Sequence, residues 1–294
     1  MTGGGSPAPV TLLPPAPRAG DPALEEKRVA LEALLRSLGR TLVAYSGGVD
    51  SAFLLHEASR VLGERACGVI ADSPSLPRAE LEDALALASE AGAAVRVVST
   101  AELSRAAYRA NGLDRCYHCK TELFETLTAI AREEGWDTIA YGAVTDDLGD
   151  VRPGMDAARE RGIRAPLLEA GLGKLEVRAL ARSLGLRVWD KPQAACLASR
   201  IPHGTEVTAE RLSKVEAAEA WLRRTFGLRV LRVRLAGEGA RIEVAPPDIG
   251  RLGAPGDYSR IQLKLGELGF QSVVIDPKGY RRADPAPGPS LEVP

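Results

Sequence analysis

The sequence predicts an α/β protein, a parallel sheet covered by helices on both faces and followed by a smaller α+β unit. Three observations predict it. Short apolar runs at residues 41–45, 66–71, 94–98 and 138–142 alternate with amphipathic helical stretches, as in a sheet buried on both sides. A glycine-rich turn joins the first run directly to a helix. After Gly204 the pattern changes to one helix, two alternating strands, a second helix and a last strand.

The elements follow in order. Residues 1–20 are rich in proline and glycine and read as a disordered lead-in. Asp21 followed by Pro22 reads as an N-cap with proline at the first helical position. Leu24, Leu31, Leu35 and Leu38 then mark one helical face, and Gly39 ends the helix. Helices are expected over 51–62, 79–91, 120–134 and 175–184, with a short terminal strand at 186–189. Thr208 can cap a helix with Leu212, Val215, Ala218 and Leu222 on its apolar side, ending at Gly227. Strands over 229–235 and 240–244 flank the Gly237-Glu238-Gly239 turn, and a helix at 259–268 and a strand at 272–275 complete the unit. The expected division is a core domain over 21–204, a small α+β domain over 205–282 and a loose tail over 283–294.

Composition narrows the function classes. The chain has 294 residues, 45% of them apolar and 26% charged, with a formal net charge of -1. These values argue against a chain dominated by nucleic-acid binding. No apolar run approaches the ~18 residues of a membrane span. The first residues lack the basic head and apolar stretch of a secretory signal, so a cytoplasmic location is the expectation.

Ser46-Gly47-Gly48-Val49-Asp50-Ser51 lies between strand and helix. Paired glycines let the backbone turn and approach a ligand, and the freed N–H groups with the helix dipole face an anion, most simply a pyrophosphate. Ser46 and Ser51 can donate to phosphate oxygens, and Asp50 can orient the loop or hold Mg²⁺. The pattern is neither the Walker loop nor the dinucleotide fingerprint.

There are four cysteines. Cys116 and Cys119 are spaced to serve one metal centre, but two thiolates do not choose between zinc, iron–sulfur and redox use. Zinc would want a further ligand such as His118 or His203. Cys196 is remote in sequence, and Cys67, inside the second apolar run, reads as a core residue. Other polar candidates are Asp72 and Ser73 after the second strand, the acidic run Asp146, Asp147 and Asp150 after the fourth, and Lys174 at a helix start. Glu176 and Arg178 suit structural ion pairs equally well. In the small unit, period-two spacing places Arg232 and Arg234 on one strand face, where they suit a phosphate, with Arg241 and Glu243 on the same side.

Several further motifs accompany the loop: Asp114-Arg115-Cys116-Tyr117-His118-Cys119-Lys120, Trp189-Asp190-Lys191-Pro192, and Ala195-Cys196-Leu197-Ala198-Ser199-Arg200-Ile201-Pro202-His203-Gly204. In this order, over most of residues 41–282, they resemble the LarE family of the PP-loop ATP pyrophosphatase (adenine nucleotide alpha hydrolase-like) superfamily. The resemblance implies an ATP-dependent sulfur transferase. It adenylates the carboxylates of pyridinium-3,5-biscarboxylic acid mononucleotide and converts them to thiocarboxylates for the nickel-pincer nucleotide of lactate racemase. It also implies a nucleotide site at Ser46, Gly47, Gly48, Asp50, Ser51, Asp72, Ser73 and Lys174, and substrate contacts from Arg200, Arg232 and Arg234. Mg²⁺ would be held by Asp50, Asp147 and Asp150, and a metal-associated glutamate would be Glu219 or Glu216. Cys116, Cys119 and Cys196 match a three-cysteine subtype that holds a [4Fe-4S] cluster; in single-cysteine members the matching cysteine gives up its own sulfur. A sulfide source and a homo-oligomer are implied. Gly279-Tyr280-Arg281 matches a family tail motif of unclear chemistry. The alternatives are a tRNA-thiolating enzyme, an ammonia-dependent ligase that would leave the cysteines idle, and a non-catalytic nucleotide-binding or iron–sulfur scaffold.

Overall fold

A computed structural model describes residues 21–149, 153–192 and 195–280. Expectations for the lead-in, the tail, Asp150 and Arg281 lie outside these residues. The Asp21 carboxylate accepts from the Ala23 N–H at 3.0 Å and starts α1 (Pro22–Ser37). The chain continues through β1 (Thr41–Ala44), α2 (Val49–Leu62), β2 (Ala66–Asp72), α3 (Arg78–Glu90) and β3 (Val95–Ser99). Next come α4 (Ala106–Arg109), α5 (Arg115–Glu134), β4 (Thr138–Tyr141), α6 (Pro153–Glu160), α7 (Pro166–Glu169) and α8 (Lys174–Ser183). After the Cys196 segment follow α9 (Ala209–Phe226), β5 (Leu231–Ala236), β6 (Gly239–Val244), α10 (Pro246–Leu252), α11 (Pro255–Glu267) and β7 (Val273–Ile275).

β1 to β4 form a parallel sheet in the order β3-β2-β1-β4. Alternation along β1 sends Val43 and the following Tyr45 into a core with Leu31 and Leu35 of α1, Phe53 and Leu54 of α2, Leu87 of α3 and Leu180 of α8. Leu42 and Ala44 face the other way, onto Phe124 and Leu127 of α5 and Ala157 of α6. Helices thus cover both faces, as the apolar runs require. Truncating a buried leucine here to alanine would cost about 2–5 kcal/mol. Cys67 is half-buried against the second of these cores, and burial pushes its thiol up.

The expected strand at 186–189 is instead a 3₁₀ turn, Arg187–Asp190. Its N–H groups bond locally, Trp189 to the Leu186 carbonyl and Lys191 to the Val188 carbonyl. The free edge of β4 is met by Arg164, which exchanges bonds with Ile139 and Tyr141. α5 begins five residues earlier than the periodicity predicts, and this places Cys116 in its first turn and Cys119 at the start of its second. Pro246 and Pro247 are the first residues of α10, where a proline's missing N–H costs no helical bond.

In the small unit, β5 and β6 form an antiparallel hairpin and β7 runs parallel to β6. Leu231, Val233 and Leu235 pack with Leu212, Val215 and Leu222 of α9. Tyr108 of α4 and Leu197, Ala198 and Ile201 enter the same core. The segment after Cys196 is therefore packed between the two sheets' helices and strands.

Candidate functional site

β1 lies between β2 and β4, so the chain leaves it toward β2 and later returns to its other side. Loops after β1 and β4 diverge at this reversal and open a crevice at the carboxyl edge of the sheet. The glycine turn sits there. Gly48 is the N-cap of α2 and makes no side-chain cap. The first bond of the helix runs from the Ala52 N–H to the Gly48 carbonyl, and no described residue accepts from the N–H groups of Gly48, Val49 or Asp50. Gly142, just after β4, lets α2 come close: a Cβ there would lie 2.8 Å from the Ser51 nitrogen. The Ser51 hydroxyl lies 3.1 Å from that of Ser46, accepts from the Ser46 N–H at 3.2 Å and donates to the Gly48 carbonyl at 3.2 Å. Ser51 is buried and closes the loop, whereas Ser46 is exposed at its mouth.

Across the crevice, a 3₁₀ turn at Thr145–Gly149 presents Asp146 and Asp147. Asp146 accepts from the Lys174 N–H at 2.7 Å, at the start of α8, and the Lys174 ammonium lies 3.0 Å from Asp147. Asp50 is half-buried, and its carboxyl is pushed up to about 6, first by burial and next by Asp147, with Lys174 and Arg178 opposing. Two carboxylates facing a phosphate loop fit a hard cation such as Mg²⁺, which takes one or two carboxylates and completes its shell with phosphate oxygens and water. Asp72, at the end of β2, is paired with Arg78 at 2.7 Å, and Arg78 also donates to the carbonyls of Ser73 and Leu76. Glu176 pairs with Lys27 at 2.7 Å. Arg178 makes no ion pair among the described residues; it donates to the carbonyls of Trp189 and Lys191 at 2.6 and 2.8 Å.

α5 runs antiparallel to the strands, so its N-terminus also lies at the carboxyl edge. Cys116 is exposed and Cys119 half-buried one turn on. The Cys119 thiol is pushed up to about 12 by burial, then by Cys196 and, more weakly, Cys116. The fold thus brings Cys196 within electrostatic reach of Cys119. Among the described residues no three His, Cys, Asp or Glu side chains converge closely enough to hold a metal ion. The donor chemistry still suits iron: three soft thiols share one neighbourhood, and a bound cation would relieve the penalty on Cys119. His118 pairs with Asp114 through Nε2 and His203 with the Asn111 carbonyl through Nδ1, so each keeps its other ring nitrogen for a further partner.

The Cys196 segment is fastened from several sides. The Leu197 N–H donates to the Ser75 carbonyl at 2.8 Å, and Arg115 donates to the Ala198 carbonyl at 2.9 Å. Arg200 is 5% exposed; it donates to the carbonyls of Ala195 and Cys196, to Ser199 Oγ, and through two nitrogens to Glu219. This corrects two expectations. Arg200 is no open anion clamp, because Nε, both Nη1 protons and one Nη2 proton hold the cysteine segment and Glu219. Glu219 is no open metal ligand, because its carboxylate is buried against Arg200 and also accepts from the Val233 N–H at 3.0 Å. Glu216 accepts from the Arg78 N–H at 2.6 Å.

Arg232 and Arg234 do share a face of β5, but they differ. Arg234 is bound to Glu243 at 2.6 Å and to the Ser199 carbonyl at 2.9 Å. Arg232, 7% exposed, has no ion pair or hydrogen bond among the described residues, and its guanidinium lies 4.7 Å from the centre of the Tyr280 ring. Burial pulls its pKa down. A buried cation with no ion pair among the described residues is the strongest anion-binding candidate in this unit. Periodicity could find the shared face. It could not find Tyr280, Arg115, Tyr108 or Ser75, whose roles arise from contacts distant in sequence; the Ser75 and Tyr108 hydroxyls lie 2.5 Å apart.

No family model matches the chain. It is 43% identical over 258 residues to an uncharacterized protein of Synechocystis sp., covering 88% of this chain and 96% of that one. It is 37% identical over 259 residues to the pyridinium-3,5-bisthiocarboxylic acid mononucleotide synthase of Lactiplantibacillus plantarum, covering 88% and 93%. An uncharacterized protein of Methanocaldococcus jannaschii is 28% identical over 242 residues, covering 82% and 91%.

Proposed function

The chain belongs to the family of the Lactiplantibacillus plantarum pyridinium-3,5-bisthiocarboxylic acid mononucleotide synthase, and from that premise we propose that it is an ATP-dependent sulfurtransferase acting on the carboxylates of pyridinium-3,5-biscarboxylic acid mononucleotide. One observation carries this reading: a phosphate loop with unpaired N–H groups and a neighbourhood of three thiols lie at the same carboxyl edge of the sheet.

The phosphate chain of ATP would lie on the N–H groups of Gly48, Val49 and Asp50, with Lys174 balancing its charge. Asp50 and Asp147 would hold Mg²⁺, which supplies charge stabilisation for the departing pyrophosphate. A substrate carboxylate oxygen attacks the α-phosphorus, the bond to the β-phosphate oxygen breaks, and an acyl adenylate forms. Sulfur then attacks the carbonyl carbon and AMP leaves with the bonding pair. Arg232 would bind the anionic groups of the mononucleotide. Cys116, Cys119 and Cys196 would hold a [4Fe-4S] cluster, which when bound leaves one iron open to carry a sulfide. The bisthiocarboxylate product would serve synthesis of a nickel-pincer nucleotide. The exposed thiol of Cys196 favours a second reading, in which this residue surrenders its own sulfur.

The test is anaerobic purification of the wild type and the Cys116→Ala, Cys119→Ala and Cys196→Ala variants, with iron and acid-labile sulfide assayed. Roughly four irons and four sulfides per chain, lost in each variant, are expected for the cluster. No iron after reconstitution, with loss of H₂S mass from Cys196 after turnover, would establish the second reading. Absence of pyrophosphate release from ATP, Mg²⁺ and the dicarboxylate nucleotide would overturn both.

A further inference from the structure

The peptide joining Gly47 to Gly48 is held by a residue that belongs to neither the loop nor its helix. Gly47 has φ +71°, and a Cβ there would sit 2.6 Å from the Ala84 side chain of α3. Its carbonyl accepts from the Lys191 ammonium at 3.1 Å. The same ammonium reaches Asp83 at 2.7 Å and Glu80 at 2.8 Å, both on α3. Three acceptors match its three protons, so Lys191 has no donor for a phosphate. Its side chain is 15% exposed, and its backbone is pinned where Arg178 donates to the carbonyls on either side of Asp190. Burial opposes the charge, but Asp83 and Glu80 more than offset this and hold the ammonium protonated.

A trans peptide carries its C=O and N–H in opposite directions. Fixing the Gly47 carbonyl toward α3 therefore turns the Gly48 N–H away from α3, where no described residue accepts from it. A glycine pair has little intrinsic preference between this peptide orientation and its flip. The flipped form would point a carbonyl oxygen at the anion site. We propose that Lys191 is a positioning residue of the phosphate loop: by holding the Gly47 carbonyl against α3, it keeps the Gly48 N–H aimed at the phosphates of a bound nucleotide. This role rests on the nucleotide reading above. It also gives Trp189-Asp190-Lys191-Pro192 a purpose that its sequence alone does not reveal.

The experiment is calorimetric titration of the full chain with Mg²⁺-pyrophosphate and, separately, with adenosine. Wild type, Lys191→Met and Asp83→Asn are compared, and the Gly48 amide resonance is followed by NMR. Lys191→Met is expected to weaken pyrophosphate binding about tenfold, the loss of one hydrogen bond to a charged group. Adenosine binding should change less than twofold, and the pyrophosphate-induced shift of the Gly48 amide should shrink. Asp83→Asn keeps Lys191 on Glu80 and Gly47 and should show the same selectivity in weaker form, which serves if Lys191→Met fails to fold. Equal pyrophosphate binding in the wild type and the folded variants would overturn the role of Lys191. So would a matching loss of adenosine binding, which would mark general damage. A wild type that binds no pyrophosphate would overturn the nucleotide reading itself, and the positioning role with it.

Discussion

Arg200 and Glu219 form a buried ion pair through two nitrogens and two oxygens, and Glu219 also accepts from the Val233 N–H. Breaking such a pair leaves a buried charge uncompensated and costs about 3–5 kcal/mol. Arg200→Met is therefore expected to lose that much stability in urea titration. Glu219→Gln is expected to lower stability while leaving the Mg²⁺ concentration needed for half-maximal pyrophosphate release unchanged; a metal ligand would raise it. Arg232 makes the opposite case, a buried cation with no ion pair among the described residues. Arg232→Ala should raise KM for the mononucleotide about tenfold or more and leave KM for ATP within twofold, since hydrogen-bonded charge pairs contribute about 1.5–3 kcal/mol. The Tyr280 ring holds that guanidinium by a cation–π contact of about 1 kcal/mol. Tyr280→Leu should therefore shift the same KM by only about fivefold, and steady-state kinetics separates the two.

Among the elements, α2 carries a pH-sensitive group remote from the chemistry. His56 lines a cavity of about 230 Å³ between α2, α3 and the turn at residues 184–188, and its Nδ1 is buried without a hydrogen-bond partner. Burial lowers its pKa, with Glu57 opposing. The unfolded imidazole takes up its proton near pH ~6.5, and the folded one only at lower pH. Between these values the unfolded state binds more protons, so stability falls as pH drops below about 6.5. Asp50, raised to about 6, acts in the opposite sense over the same range, so the test is the difference in urea unfolding: the wild type should lose stability relative to His56→Gln between pH 7 and 5, and a constant difference would overturn the role of His56. α5 shows how an element's start decides a site. Asp114 accepts from the N–H groups of Tyr117 and His118, and this extra turn puts Cys116 and Cys119 on the helix end that faces the crevice.

At the scale of the whole molecule, the two sheets share the segment that carries Cys196. Leu197, Ala198 and Ile201 pack into the small unit's core, while Leu197 and Ala198 are also bonded to the loop after β2 and to α5. A ligand on the phosphate loop should therefore stabilise both units together. Mg²⁺-pyrophosphate at about 100 times its Kd would add about 2.7 kcal/mol. The expected calorimetric result is one unfolding transition raised by about 5–11 °C, at about 2–4 °C per kcal/mol. Two transitions, only one of them shifted, would show that the units unfold independently. Among the described residues no helix is long and apolar enough to cross a membrane.

What the sequence determined by itself was whatever depends on neighbours along the chain. Apolar runs between amphipathic stretches set the parallel sheet and its helices, and period-two spacing set the shared face of Arg232 and Arg234. The glycine pair between strand and helix marked the anion loop. The strand expected at 186–189 failed because its edge is taken by Arg164 and its own bonds close within a turn. Tertiary structure alone decided which polar side chains remain available. Arg200 and Arg232 are the same residue type in motifs that look equally suited to an anion. One is engaged by Glu219 and the Ala195 and Cys196 carbonyls, and the other has no ion pair among the described residues and lies against an aromatic ring. The reason is physical: a charge's availability depends on burial and on partners brought together by folding, and those partners stand 19 and 48 positions away in the chain.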